Sequence, residues 1–113
     1  MTKLVLDFPK DNIIDSKIIK KLQKDFDESS EKTMSTASKT TDDGLRQIIQ
    51  IWLQEYVTAG NLTVDQDKDP MENASTITSL LSLRESMLLL VVLIYGKLDK
   101  RIQEKKDNNP VKK

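Results

Sequence analysis

The residues in this chain that invite a chemical reading are the acidic triplet Asp65, Asp67 and Asp69, spaced at every second position. That spacing is how a calcium loop begins, but such a loop needs Gly at its sixth position and a bidentate Glu at its twelfth. Pro70 and Thr76 stand there instead. Pro cannot make the sharp turn that Gly makes, and Thr has no carboxylate, so the triplet reads as a solvated acidic connection. The chain contains neither histidine nor cysteine. It therefore lacks the commonest general base near neutral pH, the commonest metal ligand and any thiol nucleophile. Gly44, Gly60 and Gly96 are isolated, whereas a phosphate-cradling loop needs clustered glycines. Asp7, Glu55, Glu72 and Glu85 show no spacing that pairs them and read as separate surface carboxylates. No catalytic, cofactor or metal site is expected, and the chain reads as a non-enzyme that works by binding.

What must position a binding surface is a set of helices. Of the 113 residues, 37% are apolar, and 18 basic residues balance 18 acidic ones. Small domains with few aromatics bury thin cores and often complete them by association. Leu4, Leu6 and Phe8 alternate within Lys3–Phe8 and predict a short strand or an extended arm over residues 1–15, stopped by Pro9. Leu4–Phe8 is also too short for a signal-peptide core, so a cytoplasmic location is expected.

Residues 16 to about 28 predict a helix with Ile18, Ile19, Leu22 and Phe26 on one stripe, capped by Asp15 or Ser16, with Ile14 placed as a hydrophobic staple. Eight of the residues 27–41 are Ser or Thr, which predicts a linker or frayed helix end. Residues 42–59 carry the clearest helical pattern: Leu45, Ile48, Ile49, Trp52, Leu53, Tyr56 and Val57 recur at i, i+3, i+4, i+7, and of these Leu45, Ile48, Ile49, Trp52, Leu53 and Tyr56 are expected to pack against the rest of the fold. Thr40 or Thr41 caps its start, and Gly60 is expected to end it as a left-handed residue. An acidic loop, 61–73, precedes a long helix from about Ser75 to Lys105, and residues 107–113 form a polar, disordered tail.

The long helix is apolar without interruption from Met87 to Tyr95. A helix apolar all round must be covered all round, and two short helices cannot do that. A bilayer span needs about 20 apolar residues, and extending the run to that length would place Arg84 and Glu85 near the centre of the bilayer. A buried bundle helix is the favoured reading over a membrane span. Ile77, Leu81, Leu88, Val91, Tyr95, Leu98 and Ile102 form a seam at 3–4 spacing broken by Arg84. The expected fold is a mainly α, three-helix bundle with an N-terminal arm, spanning residues 16–106. Its expected function is homo-oligomerisation or adaptor binding of another protein through Leu81, Leu88, Val91, Val92, Tyr95, Leu98 and Ile102. Under this expectation Leu88→Asp leaves the chain soluble and dissociates the assembly.

A second reading comes from order rather than motif. The strand-like Lys3–Pro9, a helix, a connection and the capped helix Thr41–Val57 resemble the ribbon-helix-helix DNA-binding family. The resemblance spans about the first 58 residues, with a connection longer than that family's usual turn. It implies a dimer whose paired strands read DNA through outward side chains, here Lys3, Val5 and Asp7. The basic residues Lys17, Lys20, Lys21 and Lys24 line the following helix. The long helix would then serve oligomerisation.

Overall fold

A computed structural model describes residues 6–107. Among them are three helices, α1 (Ser16–Lys39), α2 (Asp42–Ala59) and α3 (Pro70–Asp107), and two short strands, β1 (Ile13–Ile14) and β2 (Thr63–Val64). The strands pair in parallel, Ile13 with Thr63 and Ile14 with Val64. This pairing lies outside the expected 3–8 strand: Leu6, Asp7 and Phe8 are not in a strand, and the remainder of that segment lies outside the described residues. Leu6 is buried, its N–H donating to Glu55 Oε1 at 2.7 Å, and Phe8 packs against the core. Leu6 to Phe8 thus lie against the helices, as an arm. Ile14, just before the Asp15 cap, is a strand residue and is buried in the same core as Ile19. Asn12 enters β1 with φ 62°, a left-handed conformation that asparagine tolerates better than most residues.

The Ser/Thr-rich segment is not a linker. It continues α1 to Lys39, and only Thr40 and Thr41 separate α1 from α2. The reason is packing. Ser29, Thr33 and Ala37 extend the buried stripe begun by Ile19, Leu22 and Phe26, and small side chains at those positions let the helix lie close to its neighbours. Trp52 lies beside them, fully buried, edge-on to Phe26 with ring centroids 5.5 Å apart. Its indole N–H donates to Thr33 Oγ1 at 3.1 Å, so the hydroxyl there satisfies the polar edge of a core aromatic. The end of α1 is held by Arg101, which donates to the carbonyls of Ala37 at 2.9 Å and Thr40 at 2.6 Å.

Both predicted caps of the first two helices form. Asp15 Oδ1 accepts from Ile18 N–H at 2.9 Å, and Thr41 Oγ1 from Gly44 N–H at 3.0 Å. Gly60 ends α2 in a right-handed conformation, not the left-handed one expected. A Cβ there would lie 2.8 Å from the Arg84 guanidinium and 3.2 Å from the Val57 carbonyl oxygen, a close approach. The acidic loop is shorter than expected because α3 begins at Pro70, a residue preorganised for the first helical position. Asp69 precedes it, with its carbonyl accepting from Asn73 N–H at 3.0 Å. Asp65 Oδ1 accepts from Asp67 N–H at 2.9 Å, and Asp65 O from Asn73 Nδ2 at 2.9 Å. The acidic triplet therefore folds the connection and starts a helix.

The core joins one side of α3 to both other helices. Leu80, Leu83, Met87, Leu90, Val91, Ile94 and Leu98 meet Leu45, Ile48, Ile49 and Trp52 of α2 and Leu22 and Phe26 of α1. The molecule measures 65 × 29 × 18 Å. Its smallest dimension is about that of two packed helices, so among the described residues α3 has no third layer over its outward side.

Candidate interaction surface

The periodicity of α3 does not reveal which side faces inward, because apolar residues surround the helix from Met87 to Tyr95. Tertiary packing makes the choice. Val91 and Leu98, expected in the intermolecular seam, are 7% and 5% exposed and belong to the chain's own core. Ile102 is partly buried and packs against that core too. Leu81, Leu88, Val92 and Tyr95 do face outward, joined by Ile77 and by Leu89 and Leu93, which the 3–4 seam had left out. These seven side chains are 41–61% exposed. The inward line instead runs Thr76, Leu80, Leu83, Met87, Ile94, Leu98.

The break in the sequence seam also has a structural cause. Arg84 lies over the Tyr56 ring, its guanidinium carbon 4.2 Å from the ring centroid, and its Nε donates to the Tyr56 carbonyl at 3.3 Å. A planar cation on an aromatic face gains from the ring quadrupole, and the same side chain satisfies a carbonyl in the last turn of α2. Leu53, expected to pack inside, is 42% exposed, and Val57 on the same helix is more so. Leu45, Ile48, Ile49 and Trp52 are buried as expected, and Tyr56 is half-buried.

On its other flank, α3 borders α1 along an open groove. Phe26, Ser30 and Met34 of α1 and Ser86, Leu89, Leu90 and Leu93 of α3 line about 270 Å³ of it. Toward the C-terminal end of α3 a second depression is lined by Ser38, Lys97, Lys100, Arg101 and Glu104. Asp42 holds that end of the fold together, accepting from Lys105 and lying 3.6 Å from Arg101. The hydrogen bond from Lys105, helped by the nearby Arg101, keeps the Asp42 carboxyl below its ordinary range.

Other candidate residues do not converge. Among the described residues no group of three or more acidic, His or Cys side chains is placed to hold a metal. Glu55 is buried rather than a surface carboxylate, and Glu72 accepts from the Ser16 hydroxyl at 3.2 Å. Lys17, Lys20, Lys21 and Lys24 are exposed along α1, and Lys21 pairs with Asp25 at 3.0 Å. Lys3 and Val5 lie outside the described residues. The two-residue α1–α2 connection replaces the long one expected, and the two short strands pair within the chain.

By length and composition α3 could cross a membrane: an 18-residue window has mean hydropathy 1.9, with 33% of it buried against the other helices. Comparison with protein-family models, characterised proteins and solved structures gives no match.

Proposed function

We propose that this protein is a helical assembly subunit that associates with copies of itself through the outward face of α3. The observation that carries this reading is the set of seven large apolar side chains between Ile77 and Tyr95 exposed on the part of α3 that the other helices leave uncovered. Monomeric soluble proteins seldom expose a contiguous apolar patch beyond a few hundred Å². The balanced charge of the chain, 18 basic against 18 acidic residues, raises no strong net repulsion between copies. Covering the patch would give the slab its missing layer and remove those side chains from water at roughly 25 cal/mol per Å².

Light scattering behind a sizing column, in low and high salt and without detergent, tests this. The expected result is a dimer or larger species in both salts, because apolar contact is not screened. Val92→Asp should give a folded monomer, since its site is exposed and the change leaves the chain's own core intact. A wild-type monomer in both salts overturns the reading. If that monomer co-floats with phosphatidylcholine vesicles, the face meets lipid instead.

A further inference from the structure

We infer that the second copy docks antiparallel, through two ridges of α3 that complement each other; this rests on the self-association reading above. Glu85, Leu89 and Leu93 follow one another at four-residue intervals, and so do Val92, Gly96 and Lys100. Four-residue rows are the ridges that interdigitate when helices pack. All six residues are exposed. A twofold axis crossing α3 between Val92 and Leu93 lays the first ridge of one copy on the second ridge of the other. Glu85 then stands opposite Lys100, Leu89 opposite Gly96, and Leu93 opposite Val92. Each contact occurs twice, as a twofold interface requires.

Gly96 supports this placement. Among the described residues, apart from its own turn of helix, nothing lies within 4 Å of where its Cβ would be, so packing within the described fold does not call for a glycine there. Glycine is also among the poorest residues for an exposed helix interior. It leaves a notch on the outward face, and the twofold axis brings Leu89 to that notch. Charge settles the direction. Antiparallel docking sets Glu85 against Lys100 at both ends of a stretch about 22 Å long. Parallel docking in register would set Glu85 against Glu85 and Lys100 against Lys100, and like charges across an interface are unfavourable. A stable interface covers about 800 Å² per partner, more than one such helix stretch supplies. The groove beside Leu89 and Leu93, walled by Phe26 and Met34 of α1, continues the same surface.

The absence of cysteine makes single-cysteine crosslinking clean. Val92→Cys lies beside the axis and should oxidise to a covalent dimer. Leu81→Cys should not, because antiparallel docking separates its two copies by roughly 34 Å along the helices. Glu85→Lys should weaken the dimer roughly tenfold, as should Lys100→Glu, and the double variant should restore it. Gly96→Leu fills the notch and should loosen the dimer without lowering the melting temperature of the dilute monomer. A wild-type monomer overturns both this inference and the self-association reading. A dimer that crosslinks through Leu81→Cys as readily as through Val92→Cys overturns the antiparallel docking alone. So does a dimer whose affinity the charge reversals leave unchanged.

Discussion

Replacing Thr33 with valine tests whether the Ser/Thr-rich half of α1 is part of the folded core. Thr33 is fully buried, and its Oγ1 accepts from the indole N–H of the equally buried Trp52 at 3.1 Å. Valine keeps the shape and the β-branch, and its helix propensity is close to that of threonine, so the substitution isolates the hydrogen bond. The indole N–H would be left buried without an acceptor, which costs about 1–3 kcal/mol. For a chain of this size, each kcal/mol lowers the melting temperature by roughly 3–6 °C. Thr36→Val is the control: Thr36 is exposed three residues further along the same helix, and the change should stay within about 0.5 kcal/mol. Thermal and urea unfolding at one fixed protein concentration, followed by circular dichroism, give both values. Combining Thr33→Val with Trp52→Phe removes donor and acceptor together, and the cycle should show coupling between the two sites. Equal, near-zero effects of Thr33→Val and Thr36→Val would refute the packed arrangement and return residues 27–39 to the solvated segment that their composition suggests.

Three further outcomes follow from individual contacts. Thr76 Oγ1 is buried with no hydrogen-bond partner among the described residues, so Thr76→Val should raise stability by about 1 kcal/mol in denaturant titration. Thr41 caps α2 through Gly44 N–H; Thr41→Ala should cost about 1 kcal/mol and Thr41→Ser should recover most of it. The folded-state pKa of Asp42 is depressed, chiefly by its hydrogen bond from Lys105, so its contribution to stability is present above the ordinary carboxylate range and is lost as pH falls through the folded value. Unfolding free energies measured across the acid range should therefore lose part of their pH dependence in Asp42→Asn.

Where one physical rule dominated, the amino-acid sequence was decisive. In α2 the period specified the helix and the buried residues Leu45, Ile48, Ile49 and Trp52, although it also placed the exposed Leu53 inside and left the buried Glu55 outside; Thr40 or Thr41 marked its start, and it is the Thr41 hydroxyl that meets a free N–H in the first turn. The calcium reading of Asp65, Asp67 and Asp69 was likewise closed by Pro70 and Thr76. The rest needed neighbours. Ser29 and Thr33 look like solvated residues until Trp52 is placed beside them, and a small polar side chain in a core is legible only with its partner. Asp69-Pro70 was a legible start signal for α3, but the first apolar-periodic residues, further along, drew the boundary instead. The pairing of Ile13–Ile14 with Thr63–Val64 joins segments some 50 residues apart, each too short to show a period. In α3 the run from Met87 to Tyr95 is apolar on every side, so its sequence specifies a helix without specifying an orientation. Only the packing of α1 and α2 put Val91 and Leu98 inside and left Leu89, Val92 and Leu93 on the surface, because two helices can cover one side of a third and no more.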